Sequence, residues 1–445
     1  MQEEAIKKKG MWARAAEMAE QTPAERNRYV DLLRALSIGA VVLGHWIMAA
    51  PYFQAGVPSM DHLLEIQPWS RWLTWIFQVM PVFFFVGGFS NGVSWDGAQR
   101  KNLSYSNWLE SRMRRLLGPV IPLVFLWGVL GVIGFVAGVH PKFVEIGSQV
   151  SLIPVWFLAI YFLIVMLVPL SRAAWNKYGI VSVIVPFLLA VVGDWIFFNT
   201  SYQALAWFNF LFVWGAVHQL GYAWQQGKLG GFTQSMCIGV GGAVALILLT
   251  QFGPYPTSLV GVPGQALSNT TPPKLPIVAL ALTQIGLLLA LEAPMRRWLD
   301  KARVWTATVL VNGMIMPIFL WHSTVMMLLI GFCFWVIPGV FFADPGTTQW
   351  WALRPVWVAV FFTFMMIGLP AFLWLEKVVG SSTQRTNHIA TVIVCAVLTC
   401  AGLALLAAGG VVGSGPLGMN WIAICLPLLG AVLLSVFGLT KNSPT

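Results

Sequence analysis

Apolar runs of about twenty residues recur along the chain, separated by short polar segments. They fall near residues 30–50, 73–93, 116–138, 152–171, 179–198, 203–224, 233–252, 275–294, 305–333, 354–375, 389–411 and 419–439. A helix needs about 20 residues to cross ~30 Å of hydrocarbon. The pattern therefore predicts an all-α, polytopic transmembrane bundle of about twelve spans. The second run is the least apolar. Pro51, Pro81, Pro122, Pro169, Pro186 and Pro317 are expected at helix ends or kinks. Three parts follow: a polar tail over 1–28, a membrane core over 29–378, and a C-terminal pair of helices with a short tail over 379–445.

Composition excludes a water-soluble fold. Of 445 residues, 58% are hydrophobic and 9% charged, against roughly 25% charged in soluble domains. Many of the 23 Trp and 29 Phe flank the apolar runs, where amphipathic rings favour the lipid–water boundary. Cys237, Cys333, Cys395, Cys400 and Cys425 sit inside apolar runs, without disulfide or zinc spacing, and read as small core hydrophobes. The tail carries Lys7, Lys8, Lys9 and the amphipathic "MWARAAEMAEQ", but no short apolar core with a cleavage site. It reads as retained and cytoplasmic.

The net charge of +10 has a topological cause. With both termini inside, the outer segments hold only Arg71, Lys142, Lys274 and Arg354, and Arg34 lies within the first span. Every other Lys and Arg falls on the cytoplasmic side, including Arg385 and Lys441. Cytoplasmic loops carry such an excess, so the basic character needs no nucleic acid. The two halves show no internal repeat. The longest outer loop, "FGPYPTSLVGVPGQALSNTTPPKLP" (252–276), is rich in Pro, Gly, Ser and Thr.

"RALSIGAVVLGHW" places Arg34 and His45 eleven residues apart. At about 100° per residue they return to within ~20° of one face, separated by ~16.5 Å of rise. Asp31, three residues before Arg34, falls on the same stripe. Ionisable residues inside a span usually face a bundle interior or a water-filled path. A structural account has Arg34 reaching the inner headgroups and His45 making one hydrogen bond. "MPVFFFVGGFSNGVSW" (80–95) has Gly87 and Gly88, which let backbones or a ligand approach closely. "WLESRMRRLLGP" (108–119) then gathers Arg112, Arg114 and Arg115 at the inner face. Topology alone explains such a cluster, but guanidinium forks also bind phosphates bidentately.

In order and placement these features resemble the acyltransferase 3 family of integral-membrane acyltransferases. The resemblance rests on Arg-x10-His (Arg34, His45), "FFFVGGFS", Arg-x-x-Arg (Arg112, Arg115) and the "WFL" of Trp156–Leu158. "FLWHST" (319–324) is similar to a late histidine segment of the family. The likeness covers about residues 27–377. It implies transfer of an acyl group, commonly acetyl from acetyl-CoA, to an acceptor handled at the outer face, with Arg34, His45, Arg112 and Arg115 required. Many members carry Trp-Ser-Leu with a later Glu in the fourth span; this chain has Trp-Phe-Leu and no such acid. Ten spans form the usual core, so the last two helices are an addition.

Acyl transfer from a thioester needs a base for the acceptor's hydroxyl proton, and imidazole titrates near working pH. His45 is the expected catalytic centre, as base or as acyl carrier. Arg34 would hold or polarise the donor, with Asp31 orienting it. Arg112, Arg115 and Arg114 would bind CoA phosphates. His322 reaches a depth similar to His45 and could share its cavity, although a satisfied core histidine fits equally well. Asp194 in "GDW" could touch the acceptor, but reads more simply as a boundary carboxylate in water. His218, Glu292 and Glu376 read as structural. His62 with Asp61 and Glu65 offers too few ligands for a metal site. No Gly-x-Ser-x-Gly elbow is found, and "GVGGAV" (239–244) is a small-residue helix face with no preceding strand.

The expectation is thus an inner-membrane O-acyltransferase acting on an envelope sugar, glycolipid or polysaccharide. It would use acyl-CoA as donor substrate and no permanently bound cofactor or metal, and a separate outer-face partner could complete the reaction. The alternative is a twelve-helix secondary transporter whose Arg, His and Asp couple substrate or protons. The Arg-x-x-Arg beside "FFFVGG" suits a phosphate-bearing donor better.

Overall fold

A computed structural model describes residues 10–23, 25–54, 57–341, 343–380 and 388–436. Lys7, Lys8, Lys9, Arg385 and Lys441 of the topology reading lie outside the described residues. The described chain is helix almost throughout. Eight helices are long and apolar enough to cross a membrane, and ten if each of two bent pairs counts as one span. Tyr105–Leu116 and Val120–Val136 meet at 46°, where Gly118 and Pro119 interrupt the ladder because proline donates no backbone hydrogen bond. Leu275–Ala290 and Glu292–Leu299 meet at 53°. A count of twelve would also need Asn209–Gln225, 17 residues long, and the shorter Trp421–Ser435. Between the first two apolar runs the chain begins as an antiparallel hairpin, Ala49–Gln54 paired with Val57–His62.

The chain divides into two compact units. The first comprises Met1–Val41, Trp69–Ser90 and Trp175–Met316. Within it, the helix starting at Met80 crosses Asn209–Gln225 at bare backbone. A Cβ on Gly88 would strike the carbonyl of His218, and one on Gly221 would strike that of Phe85. Phe85 then stacks on Trp224, with ring centroids 5.0 Å apart, and Phe84 on Trp214 at 4.5 Å. Gly88 therefore serves helix packing, the alternative to ligand approach that the sequence left open. Gly239 and Gly242 press in the same way on Leu275–Ala290, near Leu287 and Thr283. "GVGGAV" is the small-residue face expected of it.

The 252–276 loop of this unit is tied down tightly. Asn269 Nδ2 bridges the carbonyls of Pro256 (2.7 Å) and Ser258 (2.8 Å). The Lys274 ammonium is fully buried, donating to Ser268 O at 2.9 Å and Pro272 O at 3.1 Å, and lying 4.0 Å from the centre of the Phe197 ring. Burial pushes Lys274 down to about 8, against the pull of Asp194. Asp194 is not a boundary carboxylate in water, since only 2% of it is exposed. Its oxygens accept from Asn209 Nδ2 (2.9 Å), Tyr255 Oη (2.8 Å) and Leu275 N (2.9 Å). Burial and the carboxylate together raise the Tyr255 phenol well above its ordinary value. These bonds make Asp194 a structural pin.

The second unit comprises Val42–Pro68, Asn91–Ala174 and Pro317–Thr445. Its C-terminal helices are packed in. Ile389–Gly409 lies on Pro141–Met166, and Trp421–Val436 on Val120–Val136. Gly410 ends its helix at φ 66°, a conformation only glycine adopts without strain, and a β-carbon there would strike Ser148 Oγ. Of the cysteines only Cys395 and Cys400 are buried; Cys237 and Cys425 are exposed, so the core reading fails for these two.

Two outcomes follow for the detergent-solubilised protein. Gly221→Ala should lower the melting temperature by several degrees through the backbone clash. Gly215→Ala, on the same helix with open space around it, should hold or raise it, because alanine favours helix by up to ~1 kcal/mol. Asp194→Ala strips the acceptor from three donors at about 1–3 kcal/mol for each group left unsatisfied. It should melt markedly earlier, whereas a solvated carboxylate could be removed without effect.

Candidate functional site

His45 stands in the last turn of Arg28–Met48, and His322 in Ala302–Val336. The second unit brings them together, with His45 Nδ1 2.8 Å from His322 Nε2 and the rings nearly parallel at 17°. His322 has no exposed surface, and Ser323 and Thr324 are 1% exposed; His45 is half-buried. The late histidine thus lies in direct contact with His45.

Hydrogen-bond logic assigns the protons. His322 Nδ1 lies 2.7 Å from Phe319 O. A carbonyl can only accept, so Nδ1 of His322 carries the hydrogen. In a neutral imidazole the other nitrogen then holds a lone pair. His322 Nε2 accepts from His45 Nδ1, and Ser323 Oγ stands 3.1 Å from the same nitrogen. His45 Nδ1 is therefore the protonated one, and His45 Nε2 keeps its lone pair. An imidazole held this way is set up as a base or nucleophile, with its orientation fixed by the other nitrogen's bond.

The surrounding bonds lock this arrangement. Trp46 Nε1 donates to His322 O at 3.2 Å, Trp357 Nε1 to Trp46 O at 2.7 Å, and Trp127 Nε1 to Thr324 Oγ1 at 3.1 Å. Phe157, the residue by which this chain departs from the family's Trp-Ser-Leu, packs edge-on to Phe319 with ring centroids 5.9 Å apart. The phenyl thus buttresses the residue whose carbonyl orients His322. His62 caps the helix after the hairpin, its Nδ1 accepting from Leu64 N at 3.3 Å, and burial pushes it down to about 4. It adds no charge at neutral pH.

Arg34 belongs to a cluster in the first unit. Asp31, 4% exposed, accepts from Arg26 Nε (2.7 Å) and Nη2 (3.1 Å), and from Arg34 Nη1 at 3.4 Å. Arg34 also donates to Ser90 Oγ. Asp31 does touch Arg34 as the shared stripe suggests, but its shorter bonds go to Arg26. Arg26 precedes the helix and escaped the periodicity argument. Beside this cluster a cavity of about 330 Å³ is lined by Arg26, Phe89, Trp224, Glu292 and Arg296, among others. Glu292 accepts from Trp224 Nε1 at 2.9 Å and from Arg296 Nη2 at 2.7 Å, as its structural reading requires. His218 is buried with its ring edge-on to Tyr222.

The basic cluster lies on Tyr105–Leu116, which starts at a Ser104 cap bonded to Asn107 N. Its three arginines are not equivalent. Arg114 is held 2.9 Å from Glu110, a carboxylate only 2% exposed. Arg112 lies over the Trp108 ring at 5.7 Å and donates to Ser94 Oγ, which also accepts from Trp108 Nε1 at 3.0 Å. Arg115 is exposed. Ser94 was not foreseen, because a serine on a hydrophobic helix carries no signal until its partner is known.

Comparison with known families gives one match, to an acyltransferase domain, over residues 27–375. That span contains Arg34, His45, Arg112, Arg114, Arg115 and His322, and begins one residue after Arg26. Neither the curated proteins nor the solved structures compared with the chain gave a match. The domain match covers most of the chain and meets a polytopic helical fold. The chain belongs to the acyltransferase 3 family of membrane acyltransferases.

Proposed function

We propose that the protein moves an acyl group, acetyl in the first instance, from cytoplasmic acyl-CoA to a hydroxyl of an envelope sugar, glycolipid or polysaccharide. It works in the inner membrane with its N-terminus in the cytoplasm and twelve spans. The observation that carries the reading is the lone pair left on His45 Nε2 by the bond from Nδ1 to His322.

The acceptor hydroxyl gives its proton to His45 Nε2 as its oxygen attacks the thioester carbonyl carbon. The tetrahedral intermediate collapses with cleavage of the C–S bond. The CoA thiolate leaves and takes the proton back from the imidazolium, so His45 ends as it began. His322 supports the charged intermediate by accepting from Nδ1 throughout, and Phe319 O holds His322 in turn. Positioned general-base catalysis of this kind contributes about 10²–10⁴-fold.

Arg34 polarises or holds the donor on its way in. CoA phosphates go to Arg112 and Arg115, since Arg114 is already neutralised by Glu110. A planar fork suits phosphate better than a lysine point charge.

The test is mass spectrometry of envelope glycans and lipids from a deletion strain, and from that strain carrying wild type or His45→Ala at equal level. An acyl adduct should return with wild type, and fall at least ~100-fold with His45→Ala. Full restoration by His45→Ala would remove the histidine from the chemistry. No acylation change in any strain would turn attention to proton-coupled transport. An acyl label that stays on denatured wild type and is absent from His45→Ala would make His45 the carrier instead of the base.

A further inference from the structure

Arg354 was counted in the sequence as an outer-side charge. In the second unit it is 8% exposed, in the second turn of Thr348–Gly380. Its guanidinium lies over Trp350, with Cζ 3.4 Å from the ring centre, and 4.8 Å from that of Trp357. Nη1 donates to Ala49 O at 2.9 Å, just beyond the end of the first helix. No carboxylate pairs with this cation among the described residues. Beside it Trp350 is 3% exposed, and its indole Nε1 is buried with no acceptor among the described residues.

A buried cation without a counter-charge is costly, and aromatic faces offset only part of that cost. One backbone carbonyl uses one of the five guanidinium N–H groups. The site therefore has donors and positive charge in excess and lacks one thing, an anionic acceptor. Among the described residues Arg172 is answered by Asp96 at 2.6 Å and Arg114 by Glu110 at 2.9 Å. Arg354 differs from both. Ala49 follows His45 by one helical turn, roughly 6 Å along the axis. Trp357, one face of the aromatic cradle, also holds the carbonyl of Trp46.

We propose that Arg354 and Trp350 bind an oxyanion, carboxylate or phosphate, carried by the acceptor, so that the acceptor is an acidic or phosphorylated sugar and not a neutral one. One turn is about the width of a sugar ring, so a hydroxyl at His45 and an anionic group at Arg354 can belong to the same residue. The inference rests on the acyl-transfer reading for the acceptor's identity, but not for the binding itself.

The experiment titrates purified full-length protein in detergent with methyl β-glucuronide, glucose 6-phosphate and methyl β-glucoside by calorimetry, and follows acetyl transfer to each from acetyl-CoA. Wild type should bind at least one anionic sugar ~10-fold or more tighter than the glucoside, a factor of ten being a modest share of a charge-assisted pair. Arg354→Gln should abolish the preference. Trp350→Phe keeps the ring and removes the N–H, so it should reduce the preference while leaving the fold intact, and it carries the test should Arg354→Gln not fold. Equal binding of all three sugars by wild type, or an undiminished preference in both variants, overturns the proposal. An anionic preference without transfer to any sugar keeps this site and removes the acyl-transfer reading. Transfer at equal kcat/KM to neutral and anionic sugars keeps the enzyme and removes the site.

Discussion

The run of bonds from Phe319 O through His322 to His45 is the interaction on which the account depends. A backbone carbonyl has no proton to give, so it fixes one nitrogen of His322. That fixes the other, and through it both nitrogens of His45. Nothing in the chain requires a carboxylate or a metal ion to set the tautomer. Low polarity strengthens such a relay and makes a wrong tautomer expensive, since either imidazole would then present a lone pair to a lone pair. The bonds from Trp46, Trp127 and Trp357 hold the two helices in the register that the contact needs.

A second constraint is the cost of charge inside an apolar fold. The chain meets it by pairing its buried ions locally: Asp31 with Arg26 and Arg34, Glu110 with Arg114, and Arg172 with Asp96. Asp194 is satisfied by three donors and the nearby Lys274. The 252–276 loop that looks slack in composition is held by that carboxylate and by a buried lysine. Against this background the accessible Arg115 and Arg354, which has no carboxylate partner among the described residues, are the positions where an external group has most to contribute.

Much of the fold was legible because lipid leaves few choices. Backbone groups in hydrocarbon must be satisfied within a helix, so long apolar runs could be read directly. The arginine–histidine stripe was legible because 3.6-residue periodicity is local. Partners from distant segments were not. His322 could be placed at the right depth, but its contact with His45 spans 277 positions of sequence. Ser94, 18 positions from Arg112, was invisible for the same reason, and Arg26 because it precedes the helix whose period was read. Asp194 was misjudged because position near a helix end says nothing about the loop folded over it. The 49–62 hairpin was missed because its residues do not alternate strictly between apolar and polar. Membership of the acyltransferase 3 family came through because its motifs lie in fixed order along the chain.

The most direct measurement of the central claim is the initial rate of acyl transfer by purified wild type, His322→Gln and His322→Phe. Glutamine presents an amide oxygen that can accept from His45 Nδ1, while phenylalanine fills the space and accepts nothing. The account predicts that the glutamine variant keeps its rate within about tenfold, and that the phenylalanine variant loses ~10²-fold or more in kcat with little change in KM. Equal losses in the two variants, or an active His322→Phe, would contradict it.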